Sequence, residues 1–397
     1  MSRRLVAITE IIAPYRIPVF NALARRGDVG LHVIFLAETD PTQRQWLIYK
    51  DEINFSYQVL PSWRTRVGKH RLLLNWGVSS ALKKAAPEAI LCGGYNYPGS
   101  WTALSWARRN RVPFLLWGES NSKDFRSGNP LLEYLKKAFL RGCEGFVVPG
   151  KSSLRYLSQY KRPRQPIFTA PNSVDTELFA QAATKVRRDA AAQRAVRNLP
   201  HRFFLFVGRL VPEKGVFDLL QAYYLLPPEL RLKVGLVFVG DGVARAELLE
   251  RSKAIHPGCV QFDGFTQREE LPSYYGLADA FVFPTHTDPW GLVVNEALAS
   301  GLPVICSSSA GCAEDLVCDH WNGRVIPSGK AEQLALAMQD LADNEELRTS
   351  MGKRSAEKIA AYSPEACAAG IATAVLSLAR MNQIPHQSPS KEATLAG

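Results

Sequence analysis

Short apolar runs alternate with stretches of helical periodicity through the first part of the chain. Leu5–Thr9 is a continuous apolar run, and Pro18–Arg26 then carries its apolar residues at helical spacing. The same pattern predicts further strands at Leu31–Ala37, Ala89–Cys92, Val112–Trp117, Gly145–Val148 and Pro166–Ala170, and further helices at Ser100–Arg109 and Leu131–Arg141. Strands separated by helices form parallel sheets, so this part of the chain predicts a doubly wound parallel sheet.

The alternation pauses at Gln181–Leu199, which is rich in Ala and Arg and poor in aromatic residues, and then starts again. The later pattern predicts strands at Phe203–Val207, Gly235–Val239, Val260–Phe262, Ala280–Pro284 and Pro303–Cys306, and helices at Val216–Leu225, Ala244–Ala254, Arg268–Gly276, Val293–Ala299 and from Lys330 to about Arg380. We therefore expect an α/β protein with two doubly wound domains. They comprise residues 1–180 and 201–380, with a partly helical linker at 181–200, last helices that can pack back on the first domain, and a disordered tail at 381–397.

Length and composition agree with this division. The 397 residues are more than one hydrophobic core usually serves. No apolar run reaches the roughly 18–20 residues of a membrane span, and Glu10 and Pro14 soon interrupt the first apolar stretch, so we expect a cytoplasmic protein. The seven cysteines include no Cys-x-x-Cys pair, which argues against a disulfide framework and a metal site.

The net charge of +11 lies in the first half of the chain. Residues 1–175 hold 26 Lys and Arg against 12 Asp and Glu, whereas residues 176–397 hold 22 against 25. Such a basic half attracts anionic lipids, phosphorylated carriers or acidic glycans, although surface charge for solubility is the simpler explanation. Because no recognised nucleic-acid motif occurs, we expect no nucleic acid. Lys136, Lys137 and Arg141 share one predicted helix, which suggests peripheral docking on the inner face of the plasma membrane.

The strand Phe203–Val207 runs into a turn that suits a phosphate. Gly208 allows a tight turn, and Arg209 and Lys214 place two cations at the mouth of the strand-to-helix connection. A diphosphate gains negative charge as it leaves, and fixed cations beside it lower the barrier. A solvated surface turn with Arg and Lys is the plain alternative.

The segment Phe283–Ala297 carries the strongest pattern. Gly291 permits close approach to the start of a helix, where the amides of Gly291, Leu292 and Val293 would face an anion. Asp288 and Glu296 stand eight positions apart across that turn. These two carboxylates could bind hydroxyl groups on the transferred sugar and on the ribose. For Glu296 the alternative is an ordinary carboxylate on the face of a helix.

Two weaker turns belong to the same region. Gly240 ends a predicted strand in a turn of the kind that approaches nucleotides, a frequent and nonspecific pattern. Phe265 and Thr266 follow another predicted strand, where backbone groups could reach the edge of a nucleobase.

Taken together, these residues resemble the retaining family-four glycosyltransferases of the GT-B fold (glycosyl transferases group 1), over nearly the whole chain. The family has two Glu eight positions apart with Phe-Gly-Leu between them, where this chain has Asp288, Trp290-Gly291-Leu292 and Glu296. Other family motifs match Gly208–Gly215, Pro171–Phe179, Gly301–Ile305, Glu314, Asn322 and Gly323. The resemblance implies two Rossmann-like domains that face each other across a cleft.

The resemblance also implies roles for individual residues. Arg209 and Lys214 would hold the diphosphate, Glu296 the ribose, and Asp288 the hydroxyls of the donor sugar. The amides near Gly291 and Leu292 would hold the distal phosphate. The implied donor is a UDP- or GDP-linked sugar, with no metal and no further cofactor. The implied acceptor is a glycan or a lipid-diphosphate-linked glycan of a surface polysaccharide.

Two departures from the family pattern stand out. Asp288 is one methylene shorter than the usual Glu, which changes the reach of that carboxylate. Pro14-Tyr15-Arg16 replaces the glycine pair that many members have after the first strand, and it looks like a known subgroup. Arg16 could face a phosphate or an acidic acceptor, or it could be an ordinary cation at the start of a helix.

The acceptor side is less clearly marked. Tyr95 could stack on a sugar or simply pack, and Glu119 could orient or deprotonate an acceptor hydroxyl or balance Lys123 or Arg126. His286 could line the cleft, but a structural histidine is the simpler interpretation. Two kinds of alternative function remain. One is a sugar-nucleotide epimerase, phosphorylase or hydrolase of the same fold, and the other is a binding protein without catalysis.

Overall fold

The computed structural model describes residues 2–40, 46–67, 70–121 and 130–381. It contains a seven-stranded and a six-stranded sheet, both parallel, and a two-stranded antiparallel hairpin. Hydrophobic clusters cover both faces of each parallel sheet. The predicted α/β class with two doubly wound sheets is confirmed.

The first sheet has the strand order β3-β2-β1-β6-β7-β8-β9. Along β1, Leu5 and Ala7 face one hydrophobic cluster, whereas Val6 and Ile8 face the other, because successive side chains of a strand point to opposite faces. The strands of this half, including the hairpin β4–β5, are β1 Arg3–Thr9, β2 Val29–Phe35, β3 Ser56–Val59, β4 Ser62–Val67, β5 His70–Asn75, β6 Ala89–Cys92, β7 Phe114–Trp117, β8 Gly145–Val148 and β9 Ile167–Thr169.

Helices of the first half connect these strands. They are α1 Ile17–Ala24, α2 Val78–Ala85, α3 Pro98–Asn110, α4 Pro130–Gly142 and α5 Lys151–Ser158. The segment that follows, which contains the predicted linker, forms α6 Thr176–Arg188 and α7 Ala190–Val196. The carboxylate of Asp175 accepts a hydrogen bond from the Leu178 N–H at 3.0 Å, so α6 begins before the predicted boundary with a capped N-terminus.

The second sheet has the order β12-β11-β10-β13-β14-β15. Its strands are β10 Phe203–Val207, β11 Gly235–Val239, β12 Val260–Gly264, β13 Ala280–Phe283, β14 Val304–Ser307 and β15 Gly323–Ile326. Its helices are α8 Val216–Leu225, α9 Pro228–Arg231, α10 Arg245–Ser252, α11 Leu271–Leu277, α12 Leu292–Ala299, α13 Ala313–Leu316, α14 Ala331–Asp343 and α15 Glu345–Ile359, followed by α16 Pro364–Met381.

Two helices join the halves. Helix α6 packs against α11 and α12 of the second sheet. Helix α16 returns to the first sheet and buries Cys367, Ile371 and Val375 in its core. The predicted tail lies outside the described residues from position 382 onward.

One helical stretch of the described chain, Glu345–Leu378, meets a length and composition test for crossing a membrane, with a mean hydropathy of 1.3. By this test, the expectation that no such run exists is wrong. Core helices pass the same test, and 44% of the apolar window is buried inside the protein. The burial of α16 against the first sheet explains its apolar sequence.

Candidate active site

Glycines bring three strand-end turns of the second sheet into backbone contact. The Gly208 N–H donates to the Val239 carbonyl at 3.0 Å, and the Gly240 N–H donates to the Gly264 carbonyl at 2.6 Å. A Cβ on Gly240 would lie 1.9 Å from the Gly208 carbonyl oxygen. Gly240 was predicted to let a nucleotide approach the backbone. The packing of one turn against the other requires a glycine here, whether or not a ligand binds.

The two predicted cations of the next turn have different surroundings. The Lys214 ammonium lies 2.5 Å from Asp288 Oδ2, and both side chains are more than four-fifths buried. Arg209 is exposed to solvent. Gly215 fixes this turn, since a Cβ there would lie 2.1 Å from the Pro284 carbonyl oxygen. Lys214 thus forms an ion pair with Asp288, whereas the exposed Arg209 side chain is accessible to a ligand.

Asp288 is held from several sides. Its Oδ1 accepts the Trp290 N–H at 2.9 Å, and its carbonyl accepts the Gly311 N–H at 3.0 Å. Gly291 then adopts a φ of 99° at the N-cap of α12, and a Cβ there would lie 2.7 Å from the ring of Phe283. The first N–H groups of a helix have no acceptor within it, so Leu292 and Val293 start a helix that favours an anion.

Glu296 lies on α12, one turn beyond those amides. Burial raises the pKa of its carboxyl group to about 7, while a hydrogen bond from Tyr275 lowers that pKa to a smaller extent. The Tyr275 hydroxyl donates to Glu296 Oε2 at 2.7 Å. The predicted ribose ligand is therefore a carboxyl group that changes charge near neutral pH.

Phe265 and Thr266 directly follow the Gly264 that accepts the Gly240 N–H. The Phe265 side chain is 43% exposed, unlike the fully buried phenylalanines of β10. An exposed aromatic ring at a strand end offers a surface on which a nucleobase can stack.

In the first half, three predicted acceptor residues share one cavity. Arg16 pairs with Glu119, and its guanidinium lies 3.6 Å from the centre of a Trp117 ring. A cavity of about 230 Å³ is lined by Arg16, Tyr95 and Glu119 together with Tyr15, Trp46, Asn96 and, from the second half, Pro289. The cavity therefore lies between the two halves. The alternative partners of Glu119, Lys123 and Arg126, lie outside the described residues.

His286 has a separate environment. Its Nε2 lies 2.5 Å from an oxygen of Asp218 on α8, and its backbone N–H donates to the Glu213 carbonyl at 2.9 Å. These contacts fit the structural interpretation of this histidine. Among the described residues, no group of three or more His, Cys, Asp or Glu side chains is arranged to hold a metal ion.

Sequence reasoning missed Asn121 and Tyr275. The buried Asn121 amide donates to the carbonyls of Asp288 at 3.1 Å and Pro289 at 3.4 Å, across 167 and 168 positions of sequence. The only local signal was that Asn121 follows the polar turn after β7. It connects the first half directly to the carboxylate loop of the second.

Two family models match the chain. Residues 188–358 match glycosyl transferases group 1, and residues 19–178 match glycosyltransferase family 4. HepE from Anabaena, solved in complex with UDP, superposes with a TM-score of 0.73 at 17% identity, covering 95% of this chain and 100% of its own. This likeness confirms the predicted GT-B fold.

Curated relatives extend the comparison. A GDP-mannose-dependent alpha-mannosyltransferase of Mycobacterium tuberculosis (strain CDC 1551 / Oshkosh) is 41% identical over 58% of this chain and 57% of its own. A GDP-mannose-dependent alpha-(1-6)-phosphatidylinositol monomannoside mannosyltransferase of that species is 29% identical over 75% and 74%. Against several relatives the chain spans less than two thirds of their length. With both halves matched in order, the chain belongs to the group 1 glycosyltransferases of the GT-B fold.

Proposed function

We propose that the protein is a retaining, metal-independent hexosyltransferase that uses a nucleoside-diphosphate sugar. The observation that carries the proposal is the pair of Lys214 and Asp288 at the start of α12, with Glu296 on the same helix. A cation, an anion-binding helix start and two carboxylates are the groups that a sugar diphosphate requires.

The diphosphate would bind between Lys214, Arg209 and the first amides of α12. As the glycosidic bond breaks, negative charge grows on the departing phosphate, and these fixed positive groups stabilise it more than they stabilise the ground state. The same groups would take the place of a divalent metal. The Glu296 carboxylate would accept hydrogen bonds from the ribose hydroxyls, and Asp288 would contact the donor sugar.

Retention would follow from attack on the face that the leaving group occupies. The acceptor oxygen bonds to the anomeric carbon, the bond from that carbon to the phosphate oxygen breaks, and the acceptor proton passes to a phosphate oxygen of the leaving group. A double displacement through a protein nucleophile is the alternative. The acceptor would enter through the cavity of Arg16, Tyr95 and Glu119, where aromatic rings suit a sugar face.

The names of the relatives favour a particular donor. Two of them are named for GDP-mannose, so GDP-mannose is the first donor to test, with UDP-sugars next. The proposed acceptor is a glycan or a lipid-diphosphate-linked glycan in surface polysaccharide synthesis, and the proposed location is the cytoplasm or the inner membrane face. An epimerase or hydrolase would instead convert the donor without an acceptor, and product analysis distinguishes the three.

The test is calorimetric binding and turnover of GDP-, UDP- and ADP-sugars by wild type, Lys214→Ala and Glu296→Ala. Lys253→Ala is the matched control, because that lysine pairs with Glu250 on the exposed surface of the same half. We expect one donor to bind, both site variants to weaken it, and EDTA to have no effect. Binding that is indifferent to both site variants would overturn the donor site, and an inverted product anomer in NMR would overturn retention.

A further inference from the structure

Residues 46–52 of the first half contact two neighbouring side chains of the second half. The Leu47 N–H donates to Gln267 Oε1 at 3.3 Å. The Arg268 guanidinium donates to both carboxylate oxygens of Glu52, to one of them at 3.0 Å. Gln267 and Arg268 lie in the turn between β12 and α11, in the half that holds the predicted donor groups. We call residues 46–52 the bridging segment.

The ion pair of Arg268 and Glu52 is suited to hold one geometry. The Arg268 side chain is only 17% exposed, and its guanidinium also lies 4.0 Å from the centre of the Tyr49 ring. Ion pairs between fully exposed side chains contribute little, but this arginine is largely shielded from water. A planar guanidinium can bind a carboxylate with two hydrogen bonds and stack on an aromatic ring, which an ammonium cannot match. Arg268 therefore fixes two side chains of the bridging segment at once.

The bridging segment is attached to the first half without the help of Arg268. The Glu52 carbonyl accepts a hydrogen bond from the Asn21 amide of α1 at 2.8 Å. Ile48 and Tyr49 pack on the hydrophobic cluster beside the first sheet. Loss of the Arg268 side chain should therefore separate the segment from the second half and leave its contacts with the first half in place.

The bridging segment also supplies one wall of the cavity that we propose for the acceptor. The Trp46 ring packs edge-on against Tyr15, with the ring centres 6.0 Å apart, and both residues line the cavity. Trp46 directly precedes Leu47, whose N–H is held by Gln267. Because the peptide bond between two residues is planar, a hydrogen bond at the Leu47 N–H restricts the position of the Trp46 backbone.

The turn of the second half that makes these contacts also belongs to the donor side. Gln267 and Arg268 directly follow Phe265 and Thr266, the residues predicted to reach a nucleobase. The Gln267 carbonyl accepts the Leu271 N–H at 3.3 Å, which joins the turn to the start of α11. One short turn thus carries the predicted nucleobase residues and the contacts that hold the wall of the acceptor cavity.

We infer that Arg268 is a positioning residue for the acceptor: it holds the bridging segment, and through it the Trp46 wall of the cavity, from the donor half. In this role Arg268 touches neither substrate. The effect on an acceptor rests on the proposed function, whereas the positioning of residues 46–52 does not.

The test compares the full-length wild type with Arg268→Gln, Glu52→Gln, the double variant and Arg268→Lys. Arg155→Gln is the matched control, because Arg155 also makes two hydrogen bonds to a glutamate across the two halves, at Glu314. That pair lies far from the bridging segment in sequence, and its side chains are 57% and 50% exposed.

Four quantities are measured on each protein. Hydrogen exchange of residues 46–52 is followed by mass spectrometry without any ligand. Calorimetry gives the affinity for GDP-mannose. Steady-state kinetics give kcat and the KM for octyl α-mannopyranoside as a probe acceptor, and the hydrolysis of GDP-mannose is measured without an acceptor.

We expect Arg268→Gln and Glu52→Gln to speed hydrogen exchange in residues 46–52 and to raise the KM for the probe acceptor about fivefold to tenfold. The double variant should be no worse than either single variant, because both changes remove the same contact. Arg268→Lys should be intermediate, since an ammonium keeps the charge and loses the two-pronged geometry. The kcat, the affinity for the donor and its hydrolysis should stay within about twofold of wild type, because no donor group is removed.

Other results would overturn the inference. One is unchanged hydrogen exchange of residues 46–52 in Arg268→Gln, even if no donor were found. An equal rise in KM from Arg155→Gln would assign the effect to any loosened contact between the halves. A parallel loss of donor affinity and hydrolysis in Arg268→Gln would place Arg268 at the nucleotide.

The wild type separates this inference from the proposed function. If it binds the donor and transfers nothing to the probe acceptor, the acceptor role of the Trp46 wall is wrong. If it binds no donor while the hydrogen exchange of the variants changes as expected, the positioning of residues 46–52 is supported and the proposed function alone is overturned.

Discussion

The two sheet edges that meet at the cleft are built differently. On the donor edge, backbone meets backbone: a Cβ on Gly240 or Gly215 would lie 1.9 or 2.1 Å from a carbonyl oxygen of the next turn. On the acceptor edge, a Cβ on Gly93 would lie 3.4 Å from the Ile8 carbonyl oxygen, an ordinary contact. That cavity is shaped instead by side chains, such as Arg16 over Trp117.

The difference has a functional meaning. Backbone contacts hold the donor edge in one arrangement, which suits preorganised groups around a diphosphate. Side chains can be exchanged without refolding the turns, which would suit the acceptor role that we propose for the other edge. Substitutions should therefore harm the two edges in different ways.

The largest effect is expected from Lys214→Ala. It removes the cation beside Asp288, and in the proposed complex that largely buried carboxylate would then face the donor phosphates without a counterion. We expect kcat to fall by about 10²–10³, the range for losing one preorganised group that stabilises the transition state. Steady-state kinetics with the preferred donor measure this, and a change confined to KM would contradict the role in leaving-group stabilisation.

Gly240→Ala should come next, as a loss of stability. The new methyl group would overlap the Gly208 carbonyl, and φ at Gly240 is 139°, a conformation that alanine rarely adopts. We expect a loss of about 3 kcal/mol in the free energy of unfolding. Gly93→Ala on the acceptor edge is the control and should cost less than about 1 kcal/mol. Urea unfolding measures both variants. Equal unfolding midpoints for Gly240→Ala and Gly93→Ala would contradict the difference in backbone packing between the two edges.

The sequence predicted those features that depend on residues close together in the chain. The strand-end glycines and the Asp288–Glu296 spacing are short sequence patterns, and the buried strands are continuous apolar runs. All three could therefore be predicted from neighbouring residues alone. The hairpin β4–β5 was missed, because Ser62–Val67 is a largely polar segment without a continuous apolar run. Tertiary pairs such as Asn121 with Asp288 were missed because 167 positions separate the two residues.

Asn121→Ala tests the contact that joins the edges. Its amide supplies hydrogen bonds to the Asp288 and Pro289 carbonyls, so their loss should loosen the carboxylate loop. We expect a cost of about 1–2 kcal/mol in transition-state stabilisation. Asn110→Ala is the control, because the exposed Asn110 amide donates within its own helix turn, to the Trp106 carbonyl. Equal kcat/KM for both variants would show that the two edges act independently.

The smallest effect is expected from Tyr275→Phe. In the proposed complex, ribose hydroxyls would donate to an ionised Glu296, and the pKa of this carboxyl group is about 7, so donor affinity should rise as pH increases through that value. The Tyr275 hydroxyl stabilises the ionised form and lowers the pKa. Its removal raises the pKa and should move the midpoint of donor affinity to higher pH, with a modest loss of affinity at pH 7.

Calorimetry of the intact nucleotide sugar against pH measures this shift without interference from a titrating terminal phosphate. Glu296→Gln is the reference, because its amide cannot ionise and its affinity should be independent of pH around neutrality. If Tyr275→Phe leaves the donor affinity unchanged at every pH value, the tyrosine contributes only its ring, which packs against Phe179 with the two ring centres 5.9 Å apart. If the midpoint moves upward while affinity at high pH is kept, Tyr275 is a positioning residue for the ribose carboxylate. The arrangement of the donor edge would then depend in part on a side-chain pair, as the cavity of the first half depends on Arg16 over Trp117.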